Sequence, residues 1–192
     1  MLTDILISRT RVKLLEIFLS DVTQMYHVRD LVRRAGEEIN AVRRELAHLE
    51  KCGVVKKEPR GNRLYYWFRK DYPLYQDLLS IVAKTTGLGQ TILKNKSKLG
   101  HLNLVMFSGS FVRHIPRIKT DDVDVLVVGN VDLGLLNNLI HEEEEKRGMP
   151  INYTPMTLDE LKFRRTRRDP FLLSILTGSR VMIVGDEEDL VA

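Results

Sequence analysis

The chain has a single cysteine, Cys52, in 192 residues, so it forms neither an intramolecular disulfide nor a cysteine-cluster metal site. That usage fits a reducing compartment, and the thiol is expected as a small packing group in a core. Long apolar runs are also missing. No stretch approaches the roughly 20 residues that span a bilayer, and residues 1–13 have polar side chains where a signal peptide needs an unbroken apolar segment. A cytoplasmic location is therefore expected. Acid is scarce in the first half. Residues 1–100 hold 19 Lys+Arg against 11 Asp+Glu, a balance of +8, whereas residues 101–192 hold 11 against 15, a balance of −4. One part of the chain is set to meet a polyanion and the other is not. With 43% hydrophobic residues, the chain can bury one ordinary core or two small ones.

Three short helical patterns open the chain. Val12, Leu15 and Leu19 share one face of a helix over 8–19. Val28, Leu31, Val32 and Ala35 follow at i, i+3, i+4 and i+7, with Gly36 as the terminating glycine. Ile39, Val42, Leu46 and Leu49 then repeat at spacings of three and four, closed by Lys51, Cys52 and Gly53. Two helices joined by so tight a turn form a helix-turn-helix. The outer face of the third helix carries Asn40, Arg43, Arg44, His48 and Lys51, long donors able to reach bases and phosphates.

Residues 54–68 alternate as two strands, VVKKE and RLYYWF, around a Pro59-Arg60-Gly61-Asn62 turn. The hairpin carries Lys56, Lys57, Arg60, Asn62 and Arg63, a basic tip suited to phosphate or a minor groove. Helix, helix-turn-helix and basic hairpin stand in the order of a winged helix. The stretch from Tyr26 to Tyr66 resembles the bacterial and archaeal winged-helix regulators of the ArsR-like type, which implies binding of double-stranded DNA. The paired cysteines of metal-sensing members are absent, so the resemblance implies no metal sensing by this module.

Pro73 opens a bridging helix with the apolar stripe Leu74, Leu78, Ile81 and Val82, ending near Gly87 and Gly89. It reads equally as an interdomain spacer or a dimer helix. A polar helix over 88–97 follows. From Leu102 the period changes: LNLVMF is a buried strand, broken at Ser108-Gly109-Ser110. Asp121-Asp122-Val123-Asp124 then precedes VLVV. Because side chains alternate along a strand, Asp122 and Asp124 point one way and can share a divalent metal, while Val123 and Val125 face the core. Further on come a helix over 132–146, a strand over 151–154, a helix from Thr157 and a last strand over 181–184. Thr157-Leu-Asp-Glu160 reads as a capping box, with Glu160 turned back to the helix start.

Phe107-Ser108-Gly109-Ser110, eleven intervening residues and Asp122-Val123-Asp124 resemble the GS…DxD motif of the polymerase-beta-type nucleotidyltransferase superfamily, especially its minimal members. By that resemblance Gly109, Ser110 and Arg113 are nucleotide-binding residues. Asp122 and Asp124 become the ligands of magnesium and the catalytic pair of an active enzyme, with a nucleoside triphosphate as the other cofactor. His114 stands where the family usually has glycine. The third family carboxylate belongs on the next strand, and Ile151-Asn152-Tyr153-Thr154-Pro155-Met156 contains no acid. Asn152 can neither balance metal charge nor act as a base.

The expected fold class is α+β: a winged helix-turn-helix over 1–72, linker or dimer helices over 73–99, and a small α/β nucleotidyltransferase-like domain with a mixed sheet over 100–192. The expected function is a homodimeric DNA-binding transcription regulator whose second domain binds nucleotide and metal, or serves in regulation or dimerisation. The alternatives are an active metal-dependent nucleotidyltransferase targeted by its winged helix, and an antitoxin-like partner of another protein.

Overall fold

The computed structural model describes residues 8–117 and 122–191. The chain is α+β and divides into two compact units, Met1–Val82 and Ala83–Ala192.

In the first unit, α1 (Arg9–Ser20) is capped by the Ser8 hydroxyl, which accepts from the Arg11 amide. A two-residue strand, β1 (Tyr26–His27), leads into α2 (Val28–Ala35). Gly36 ends that helix in the left-handed region and donates to the Val32 carbonyl. Helix α3 (Ile39–Lys51) begins three residues later. Lys13 of α1 holds the intervening turn, donating to the Ala35 carbonyl and the Glu37 carboxylate at 2.8 and 2.6 Å. Arg11 and Ser8 likewise tie α1 to Glu45 of α3. Val12, Leu15, Leu19, Leu31, Ala35, Val42, Leu46 and Leu49 are buried as expected, together with Phe18, whereas Val28, Val32 and Ile39 of the expected stripes are only half-buried.

Strands β2 (Val55–Arg60) and β3 (Arg63–Phe68) form the hairpin, and β1 joins β3 to give the antiparallel order β1-β3-β2. The turn is shorter than expected. Pro59 and Arg60 belong to β2, an edge strand where proline costs no ladder bond. Gly61 and Asn62 alone make the loop, with Gly61 at φ +57°.

The bridging segment also differs from its expected stripe. Pro73 lies in a turn before α4 (Tyr75–Thr85), whose buried residues are Tyr75, Leu79 and Val82. Leu74 and Ile81 are exposed. Cys52, expected in a core, is exposed at the end of α3 with its sulfur 3.6 Å from His48 Nε2.

The second unit contains α5 (Gly87–Lys94) and a four-stranded mixed sheet of order β6-β5-β4-β7. Its strands are β4 (Gly100–Ser108), β5 (Val125–Val131), β6 (Tyr153–Met156) and β7 (Arg180–Val184), with only β5 and β6 parallel. Between them lie α6 (Gly109–Val112), α7 (Leu133–Arg147), α8 (Leu158–Thr166) and α9 (Pro170–Thr177), and α10 (Glu187–Val191) ends the described chain. Leu104, Met106, Leu126, Val128 and Met182 face Leu161, Leu172, Ile175 and Leu190, which places α8, α9 and α10 on one side of the sheet. On the other side α5 packs against β7 and α7.

Two local expectations fail for clear reasons. Strand β5 begins at Val125, so Asp122 to Asp124 lie in its approach and do not follow strand alternation. Val123 packs on the Leu126–Val128 side of the sheet, while Asp124 turns into a pocket with Phe111 and Arg147. In α8 the Thr157 hydroxyl does accept from the Glu160 amide, but the Glu160 carboxylate pairs with Arg164 instead of returning to the helix start. Arg164 one turn on, bonded through both Nε and one terminal nitrogen, is the stronger partner. No helix of the described residues is long and apolar enough to cross a membrane.

Candidate nucleic-acid interface and candidate nucleotide pocket

The apolar side of α3 is consumed by the core, which leaves Asn40, Arg43, Arg44, His48 and Lys51 exposed on the outer side. Beside this row, the start of α2 and the tip of β3 enclose a cleft of about 650 Å³. It gathers Arg43, Asn62 and Arg63 and adds His27 and Arg29, which sequence reasoning passed over. Among the described residues no acid lines it. Arg29 sits one position after Val28, off the core stripe of α2, and it shares the cleft with Arg43 and Arg63 once α2 packs against α3 and β3.

The His27 Nδ1 accepts from the Asp30 amide at 3.3 Å, capping α2 with a side chain that also packs edge-on against Tyr65. The remaining hairpin cations are less uniform than their sequence spacing implies. Lys57 is bound to Glu50 at 2.8 Å and Arg60 to Glu58 at 3.1 Å. Both pairs are exposed, so each holds its cation only weakly. Lys56, Arg63, Arg43 and Arg44 make no ion pair with a described residue.

The second candidate lies at one end of the mixed sheet. Phe107 pairs with Val125, Ser108 with Arg180, and Val125 with Tyr153. The serine-glycine turn, the aspartate segment, Asn152 and Ser179 therefore meet at a single edge. The Ser108 hydroxyl caps α6 by accepting from the Phe111 amide and lies 3.1 Å from the Ser110 hydroxyl. Gly109 donates to the Ser179 carbonyl at 2.6 Å. A Cβ on Gly109 would stand 2.1 Å from Ser179 Oγ, so the close approach of that segment explains the glycine. Arg113 donates to the same Ser179 hydroxyl at 2.9 Å. His114 adopts φ +54°, in the left-handed region that glycine enters more readily than histidine.

Asp124 is only 5% exposed. Its Oδ2 accepts from Arg117 at 2.8 Å and from the Asn152 amide at 2.9 Å, whereas Oδ1 takes no bond from a described residue. Burial pushes its carboxyl above the usual range, opposed by the Asn152 amide and by the charges of Arg117 and Arg147. The side chain of Asn152 donates to the Asp122 carbonyl at 3.0 Å. Asn152 thus grips the aspartate segment twice, through its backbone and through its amide.

The adjoining pocket is lined by Phe111, Ile115, Arg117, Asp124, Arg147 and Ile151, among others, with a volume of about 70 Å³. Arg147 is anchored by Glu143 at 2.9 Å and by the Phe111 carbonyl at 3.3 Å, with its guanidinium 4.0 Å from the centre of the Phe111 ring. Among the described residues, no group of three His, Cys, Asp or Glu gathers as a metal site. Asp122 and Asp124 offer hard oxygens of the kind magnesium selects. With Asn152 acting as a donor here and no third carboxylate gathered among the described residues, the groups present do not suit a pair of cations, and a single cation on Asp124 would need oxygens from a ligand. Neither a family model, nor a curated protein, nor a solved structure matches the chain.

Proposed function

We propose that the chain is a DNA-binding transcription regulator. In this reading the first unit is a winged helix-turn-helix that lays α3 in the major groove, with the β2-β3 hairpin as its wing. The second unit is a small nucleotidyltransferase-like domain that binds a nucleoside triphosphate with magnesium and transmits this as a regulatory signal. The observation that carries the reading is the acid-free cleft joining Arg29, Arg43 and Arg63 beside the exposed donors of α3. Several guanidiniums without internal acidic partners suit a phosphate backbone, and a flanking row of long donors suits base edges. A homodimer with an inverted-repeat operator follows from the size of a single reading head.

The test is fluorescence anisotropy on duplex DNA selected from a random pool. Selection of a defined site, bound more weakly as salt rises, supports the reading, and recovery of no preferred duplex sinks it.

The gathering of Ser110, Asp122 and Asp124 at one sheet edge favours a second reading, an active nucleotidyltransferase directed by the winged helix. Against it stands Asn152, an amide where nucleotidyl transfer needs a further carboxylate. A radiolabelled transfer assay with each nucleoside triphosphate separates the two, because only the enzyme loses a signal on Asp124→Asn.

A further inference from the structure

We propose that Arg117 is a phosphate-binding residue of the second unit's pocket and also its latch: in the empty pocket it neutralises Asp124, and a phosphate-bearing ligand draws it away, opening that carboxylate to a divalent cation. The inference rests on the nucleotide-pocket reading and adds the coupling between its two ligands.

A carboxylate as buried as Asp124 needs a counter-charge. Two guanidiniums lie near it, and they are not equivalent. Arg147 is fixed by Glu143, the Phe111 carbonyl and the Phe111 ring. Among the described residues, Arg117 has one acidic partner, Asp124, joined through a single terminal nitrogen. Arg117 is therefore the group that can turn without breaking a larger network.

Charge balance then dictates what the pocket accepts. Among the described charged residues that line the pocket or brace it, Arg117 and Arg147 pair with Asp124 and Glu143, so an anion alone meets guanidiniums already paired and a cation alone meets a carboxylate already taken. A ligand that brings both signs leaves no buried charge unpaired: the divalent cation replaces Arg117 on Asp124, and the freed guanidinium meets phosphate in bidentate fashion. The volume of about 70 Å³ is that of several waters, the scale of one phosphoryl group. Cation and phosphate thus bind with positive cooperativity, each displacing the same internal ion pair.

The experiment uses the full chain and two probes, Mn²⁺ alone followed by electron paramagnetic resonance, and pyrophosphate in chelator followed by calorimetry. Arg117→Met raises the affinity for Mn²⁺ about tenfold, and Asp124→Asn raises metal-free affinity for pyrophosphate about tenfold. The double variant shows neither gain. Thermal melts confirm that each variant is folded, and Arg117→Gln replaces any that is not. If wild type binds Mn²⁺ and adenosine triphosphate together yet neither single variant gains affinity, the latch is overturned while the pocket stands. If wild type fails to bind that pair, the pocket reading falls first and the latch with it.

Discussion

The Ser108 amide donates to the Asp124 carbonyl at 2.8 Å, across the pairing of β4 with β5. This bond sets the serine-glycine turn and the aspartate approach at one edge of the sheet, and the Ser179 carbonyl closes the turn from the β7 side. The edge is thus assembled by backbone register, with side chains added to it.

That assembly makes Gly109 a packing-critical position. Gly109→Ala forces a Cβ against Ser179 Oγ and the Ser179 carbonyl, which costs about 1 to 3 kcal/mol of stability by overpacking. Chemical denaturation measures it. Adding Ser179→Ala removes the hydroxyl clash and recovers part of the loss; unchanged stability in the single variant contradicts the close approach.

Cations of the first unit separate into two groups. Arg43→Ala with Arg44→Ala lowers discrimination between operator and random duplex by about 1 to 3 kcal/mol per lost base contact. Arg29→Ala with Arg63→Ala weakens every duplex alike and flattens the salt dependence by roughly 0.9 log unit per lost phosphate contact. Lys57→Ala and Arg60→Ala have smaller effects, because the neighbouring Glu50 and Glu58 carboxylates offset part of the charge each cation presents to phosphate. Binding isotherms at several salt concentrations distinguish the three outcomes.

Asp124 gives a signed pH dependence. Its folded-state pKa is raised by burial above the ordinary 3.8. The stability it contributes is fully present below that value and is lost as pH rises through the raised pKa. Asp124→Asn removes this titration, so the difference in melting temperature between variant and wild type shifts in the variant's favour as pH rises across that window. A difference constant with pH contradicts the burial argument.

Asn152→Asp loses the amide donor to the Asp122 carbonyl and places a second acid beside Asp124. The variant is less stable by about 1 kcal/mol, the scale of one lost hydrogen bond to a part-buried acceptor. Magnesium restores part of that stability. If the variant also gains nucleotide transfer that wild type lacks, the domain is a transferase scaffold turned to binding; transfer by wild type that disappears in Asp124→Asn contradicts the regulator reading.

Much of this was legible in the sequence because it is local. The apolar spacings of α1, α2 and α3, the Gly36 terminus and the strand-like run before Ser108 depend on neighbours a few residues away, and each element formed within a residue or two of its expected place. Features set by distant segments were not legible. Arg29 shares a cleft with Arg43 and Arg63 only when α2, α3 and β3 pack together, Lys57 is claimed by Glu50 across the start of β2, and Arg117 meets Asp124 in a pocket closed by α7. Cys52 illustrates the same limit, since helix phase turns it outward beside His48 although its composition class favours burial. The double grip of Asn152 had a sequence signal, an amide where an acid was expected, but its donors declare themselves only when β6 lies against β5.

Association through α4 is a further expectation. Leu74 is 54% exposed just before a helix whose Tyr75, Leu79 and Val82 are buried. If that side forms the dimer contact, Leu74→Glu lowers the sedimentation mass at micromolar concentration from two chains to one. A monomeric wild type contradicts the dimer.

The central claim is that the first unit reads duplex DNA through the cleft of Arg29, Arg43 and Arg63. Its most direct measurement is anisotropy titration of wild type and the triple alanine variant on one selected duplex and one random duplex, at low and moderate salt. The account requires tight, salt-sensitive binding by wild type with preference for the selected duplex, and loss of both affinity and preference in a variant that melts normally. Equal binding by the folded variant, or no duplex binding by wild type at low salt, contradicts it.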